Sequence, residues 1–201
     1  MPNDLYEKSV KNILEKAINR LIDDFICNPY KHRCEHSIHC ELYNMLSAEE
    51  ALQGLHPFKD DENHEWKTGL IHKEWPELER RDGHRRRGNS DLTILDPNDI
   101  LKRKRTEFTE GRIPPKFVVE LGLNYNLDHL KLDDEKLNNS KIEYGYLVHL
   151  WQPHRTILGN EVKDQKNWCK GRKYVALGVF KERTILVKHL EDKEVKEKYP
   201  K

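Results

Sequence analysis

Two carboxylates stand where apolar side chains would be expected. In RRRGNSDLTILDP, Arg85 to Pro97, Asp91 opens a run that otherwise reads as a buried strand, and in PPKFVVELGLN, Pro114 to Asn124, Glu120 interrupts a second one. Alternation along the second run sends Phe117, Val119, Leu121 and Leu123 to one face and Val118, Glu120, Gly122 and Asn124 to the other. Glu120 therefore shares its face with small or polar neighbours that leave room for a ligand. The same rule groups Asp91 with Thr93 and Leu95. If the two strands are neighbours, the acids can hold one divalent cation, and oxygen donors suit Mg²⁺ or Mn²⁺. The competing reading of each acid alone is a solvated charge at a strand end.

A third acid belongs to a helix. Over residues 35–46 a helical wheel gathers Ile38, Leu42, Met45 and Leu46 on one face; Glu35 falls within that arc, whereas Glu41 lies about 100° off it. An acid on a buried face makes Glu35 a further site candidate, with His39 one turn on and placed to hydrogen-bond a site group. The alternative is that Glu35 only complements the helix macrodipole as a first-turn acid. The same region carries HRCEHSIHC, His32 to Cys40, which has the residue types of a zinc tract but not the paired spacing that a tetrahedral site usually shows. On a helix only His36 and Cys40 of this tract share a face at i, i+4. Solvated or half-buried His and Cys side chains, or a zinc-containing interaction domain, are the two readings it leaves.

The elements that must position these residues follow from periodicity. Residues 4–25 carry Leu5, Val10, Ile13, Leu14, Ala17, Ile18, Leu21, Ile22 and Phe25 at helical spacing, ending before Pro29. The second helix is expected at about 35–46. A capping box, Ser47 with Glu50, predicts a short third helix running toward Gly54. Strands are expected at 66–75, 91–95, 116–123, 144–151, 173–180 and 183–189, with a helix at 127–138 and a solvated helix or frayed tail from Glu191. No repeat or linker divides the chain. One domain over 1–201 is expected, mainly helical in 1–58 and sheet-containing in 64–190.

Composition narrows the classes. Charged residues make up 35% of the 201, well above the roughly one quarter usual in soluble domains, yet the net charge is only +1. No global field points to nucleic acid, so that case rests on local basic clusters: Arg85, Arg86 and Arg87 leading into Asp91, and Lys102, Arg103, Lys104 and Arg105. There is no apolar run of membrane-spanning length and no export signal at Met1, so a cytoplasmic protein with free thiols at Cys27, Cys34, Cys40 and Cys169 is expected.

Taken in order, CEHSIHCELYNML, LIHKEWPELERRDGHRRRGNSDLTIL, KFVVELGLN and LDHLKLDDEKL resemble the PD-(D/E)xK nuclease superfamily over about Cys34 to Trp151. Its members show a helix bearing an acid, a strand pair with an Asp, a strand with Glu-x-Lys, and a following helix. The resemblance implies an α/β, restriction-endonuclease-like fold, a mixed β-sheet flanked by helices with an N-terminal helical segment. It also implies a Mg²⁺- or Mn²⁺-dependent endonuclease acting on DNA, double-stranded as in a restriction or defence enzyme, and working as a homodimer or within a larger complex. Asp91, Glu120, the carbonyl of Leu121 and Glu35 would hold the metal, and the arginine and KRKR clusters would grip the DNA backbone without reading sequence. One position departs: Gly122 stands where the family has its lysine. On the 127–138 helix, Lys131 lies with Leu127, Leu130 and Asp134 while Lys136 projects roughly opposite, which makes Lys131 the migrated candidate, with Lys73 behind it. Without a lysine, the same fold would be a catalytically silent nucleic-acid-binding or scaffolding subunit.

Overall fold

The apolar stripe of the first segment folds as α1 (Asn3–Cys27), a 25-residue helix. It buries Val10, Leu14, Ala17, Ile18, Leu21, Ile22 and Phe25 against the rest of the chain. In the computed structural model the described residues are 3–60, 62–140, 142–152, 164 and 167–168, together with three later strand segments. The second helix, α2 (Glu35–Ser47), buries Ile38, His39, Leu42 and Leu46. The expected capping box does not form: Ser47 ends α2, and the short 3₁₀ turn Glu50–Leu52 has Glu49 at its start without a side-chain cap. Ser47 could not cap a new helix while its own backbone still closed the old one.

The expected strand at 66–75 is two strands with different partners. Gly69 and Leu70 break it into β2 (Glu65–Thr68), which forms a hairpin with β1 (His56–Lys59), and β3 (Ile71–Pro76). β3 opens a seven-stranded mixed sheet with β4 (Asn89–Ile94), β5 (Phe117–Leu123), β6 (Tyr144–Trp151), β7 (Val175–Val179), β8 (Thr184–Val187) and β9 (Lys196–Lys198), side by side in that order. Pairing is antiparallel from β3 to β5, parallel from β5 through β6 to β7, and antiparallel again to β9. The fold is therefore α/β with a mixed sheet. Parts of the expected 173–180 and 183–189 strands lie outside the described residues. So does most of the tail expected from Glu191, of which the described Lys196–Lys198 is a strand.

Two short helices, α3 (Pro97–Lys102) and α4 (Arg105–Thr109), were not legible in the periodicity. Asp96 caps α3 by accepting from the Asn98 N–H at 2.8 Å, with Pro97 in the first turn where its missing N–H costs nothing. The parallel pair β5 and β6 is joined by the crossover helix α5 (Leu127–Asn139), capped by Asn126. One face of the sheet supplies Leu92, Ile94, Phe117, Val119, Leu121, Leu123, Tyr146, Val148 and Leu150 to a core shared with α1 and α2. The alternate residues of β5, with Val118 and Glu120, face α5. Among the described residues no helix is long and apolar enough to cross a membrane.

Candidate metal centre

β4 and β5 are hydrogen-bonded neighbours, with Leu92 opposite Val119 and Ile94 opposite Phe117. One step further along that antiparallel register come Asp91 and Glu120, on the face turned to α5. The Leu121 N–H donates to Asp91 Oδ2 at 2.7 Å, which locks the Asp91 carboxylate against β5. On an extended strand the N–H and C=O of one residue leave along the same edge, so the Leu121 carbonyl also faces the Asp91 side. Glu120 is fully buried, and its Oε1 has no hydrogen-bond partner. Burial pushes the Asp91 carboxyl up to about 6, the His39 ring and the Leu121 N–H acting against that rise. Burial, followed by the charge of Asp91, pushes Glu120 well above the ordinary carboxylate range. A buried and a half-buried acid side by side, one with a bare oxygen, form a site whose charge calls for a cation.

One cation is supplied by α5. The Lys136 Nζ lies 2.9 Å from Glu120 Oε2 and 2.9 Å from Asp133 Oδ1. Burial disfavours its ammonium, but the charges of Glu120 and Asp133 outweigh that and raise its pKa above the ordinary lysine value. The expectation that Lys131 faces the site is corrected. Lys131 is turned to solvent, 45% exposed, and pairs with Asp128 at 3.3 Å. The wheel was centred on Leu127, Leu130 and Asp134, whereas the residues α5 buries are Leu130 and Asp133. Lys136, at i+3 from Asp133, shares that arc; Lys131 does not. Lys73 is not at the site either, its Nζ resting 3.5 Å from Cys40 Sγ.

The space at Gly122 is taken. Gly122 pairs with His149 across β5 and β6, and a Cβ on Gly122 would lie 2.7 Å from His149 Nε2. That imidazole is buried and sits 3.4 Å from Asp133 Oδ2, and His129 on α5 approaches the same oxygen at 3.4 Å. Asp133 thus gathers two histidines and Lys136. Burial raises its pKa, but the His149 and Lys136 contacts hold it below the ordinary value.

α2 brings the third acid. Glu35 Oε1 lies 3.4 Å from His39 Nε2, and the same nitrogen is 3.7 Å from Asp91 Oδ2. Glu35, His39 and Asp91 each place a ligand atom within 4.8 Å of the others. Burial would raise the Glu35 pKa, but its contacts with His39 and Tyr125 leave it below the ordinary value. The position of α2 is set by a polar clamp at the strand ends. Asn124, at φ 62°, exchanges two 2.8 Å hydrogen bonds with Gln152, whose Nε2 donates to the Pro29 and His32 carbonyls at 2.8 and 2.7 Å. This ties the α1–α2 connection to the ends of β5 and β6, so the helix acid arrives beside the strand acids.

The zinc tract separates. His32 is buried, stacks on Phe25 and lies 3.0 Å from Glu41, while Cys27, Cys34 and Cys40 are exposed free thiols. Cys169 lies outside the described residues. Of the basic clusters, Arg85 and Arg86 are exposed just before β4. Arg87 instead donates to the backbone carbonyl of Glu110, and near 3.5 Å to that of Gly111, pinning its own loop. In KRKR, Lys102 pairs with Asp99 at 3.7 Å and Arg103 with Glu107 at 2.8 Å. Lys104 is the N-cap residue before α4, and Arg105 lies 5.2 Å over the Trp66 ring. This cluster fastens α3 and α4 to the hairpin as well as presenting charge.

The residues missed were Asp133, Lys136, His149 and Tyr125. The only cue was His149 as the polar exception in YGYLVHLW, and reading it required knowing that Gly122 lies opposite. Comparison with family models, with curated proteins and with solved structures gives no match to this chain.

Proposed function

We propose that the protein is a metal-dependent nuclease that hydrolyses phosphodiester bonds of DNA, with its centre at Asp91, Glu120 and Lys136. The observation that carries this reading is the pair of acids on adjacent strands, Glu120 buried and Asp91 half-buried, with the Lys136 ammonium 2.9 Å from Glu120. A cation there supplies the charge that Gly122 cannot, which favours the enzyme over a catalytically silent subunit.

The donor set fits a divalent ion. Asp91, the bare Oε1 of Glu120 and the Leu121 carbonyl are hard oxygen donors, and Glu35 and His39 stand next to Asp91. An imidazole in such a set shifts preference from Mg²⁺ toward Mn²⁺. A bound ion of this kind would lower the pKa of a water and neutralise charge on the scissile phosphate. Lys136, held protonated by its two carboxylate neighbours, is an electrostatic stabiliser of phosphate charge and not a base at neutral pH. Asp133 with His149 holds Lys136 in place. Arg85 and Arg86, exposed at the approach to Asp91, are placed to contact the phosphate backbone.

The test is cleavage of plasmid DNA by the whole chain with Mn²⁺, Mg²⁺ or chelator. Cleavage is expected with Mn²⁺ at least as fast as with Mg²⁺, absent with chelator, and lost in Asp91→Asn and Glu120→Gln. Cleavage that survives both substitutions, or no cleavage of duplex or single-stranded DNA with either metal, would overturn the reading.

A further inference from the structure

The His32 to Cys40 tract does not assemble through its cysteines, yet two of its histidines meet a residue from another element. His36 and His39, at i, i+3 on α2, and Glu74 on β3 each place a ligand atom within 4.8 Å of the other two. We propose that His36, His39 and Glu74 form a second metal site, for a zinc-class transition ion, beside the carboxylate centre.

Four observations support it. His39 is buried to 1% exposure, and neither ring nitrogen has a hydrogen-bond partner. Buried imidazole nitrogens are normally satisfied, and the Glu35 and Asp91 oxygens near Nε2 do not meet that need with hydrogen-bond geometry. The His36 and His39 rings stand edge to face, 5.4 Å between centroids, and a ring nitrogen of each lies within 4.8 Å of the other. Glu74 adopts φ 55° within a strand, a conformation that non-glycine residues rarely take. The donor chemistry selects the ion: two imidazoles and one carboxylate, with a position left for water, match zinc-class ions, whereas the carboxylate pair at Asp91 and Glu120 suits harder ones. His36 and Glu74 are exposed, so the ion has access from solvent. Because the two clusters share His39, an ion held here would also orient the imidazole that faces Asp91.

Calorimetric titration of the whole, metal-stripped chain with Zn²⁺ tests the site without reading nuclease activity, so its outcome is separable from that of the proposed function. The comparison takes the unmodified chain, His36→Ala, Glu74→Gln and a Cys34→Ser, Cys40→Ser double variant, each first shown by circular dichroism to be folded. Zinc is expected to bind the unmodified chain, at least tenfold more weakly in His36→Ala and in Glu74→Gln, and with little change in the thiol variant. Unchanged binding in His36→Ala and Glu74→Gln would overturn the proposal. So would an absence of stoichiometric zinc, or weakening in the thiol variant as great as in His36→Ala.

Discussion

Lys136 and Lys131 are five residues apart on one helix, and their surroundings decide opposite fates. Lys136 is clamped between Glu120 and Asp133, each 2.9 Å away, while Lys131 meets only Asp128 at the surface. Under the proposed function, Lys136→Ala should lower metal-dependent cleavage about 100-fold or more, the scale of one pre-placed charge lost from a transition state. Lys131→Ala should leave the rate within a few-fold, and single-turnover assays of both variants distinguish the two. Gly122 offers a second test at this scale. Because a Cβ there would lie 2.7 Å from the His149 ring, placing a lysine at this position by Gly122→Lys should destabilise the fold by about 1–3 kcal/mol in urea denaturation, the usual cost of overpacking. Adding His149→Ala should recover part of that loss. If Gly122→Lys alone proved neutral, the ring would not be what excludes a side chain.

At the scale of elements, the site depends on two strands held by register and two helices held by polar contacts. The strands need no special device, since one antiparallel ladder sets Asp91 beside Glu120. The helix α2 is set by Gln152, which is buried and reaches Asn124, the Pro29 carbonyl and the His32 carbonyl. Gln152→Ala would strand those partners, and an unmet buried polar group costs about 1–3 kcal/mol. Its unfolding free energy should fall by at least that amount, measured by chemical denaturation. Cleavage should fall further than stability at temperatures where the variant is fully folded, because Glu35 and His39 would lose their placement against Asp91. Equal activity in the folded variant would show that α2 is positioned without the clamp.

For the whole molecule, the cost of the site is paid in pH. Asp91 rises from an ordinary 3.8 to about 6 on folding because burial disfavours its charge. A folded state that holds its proton more tightly than the unfolded chain loses stability as pH rises between those values. In chelator, the Asp91 contribution should therefore lower the melting temperature from pH 4 to pH 6. Under the proposed function a divalent ion would reverse the sign by binding the carboxylate: the rise in melting temperature on adding Mn²⁺ should be small at pH 5 and larger above pH 6. A metal-induced shift independent of pH would place the ion elsewhere. Under the proposed function, the net charge of +1 would make DNA contact a local matter. Replacing both Arg85 and Arg86 by Ala should lower affinity for duplex DNA and reduce the salt dependence of binding by up to about one counterion for each arginine.

The amphipathic stripe of α1, the buried arc of α2, the strands through Asp91 and Glu120 and the helix after them were legible in the sequence because their periods of 3.6 and 2 are local properties of the chain. The two strand acids were visible for the same reason, each being a polar exception in a regular pattern. Other features depended on partners distant in the chain. The break at Gly69 is set by which strand each half pairs with, and the capping role of Ser47 was lost to the helix it already closed. Tertiary structure alone decided the lysine: the rotation of α5 about its axis follows from what it packs on, and a wheel drawn from its leucines chose the wrong arc. It also placed His149 against Gly122, drew His39 between two groups of candidate ligands, and left Cys27, Cys34 and Cys40 in solvent, since convergence in space depends on packing between elements that sequence spacing does not encode.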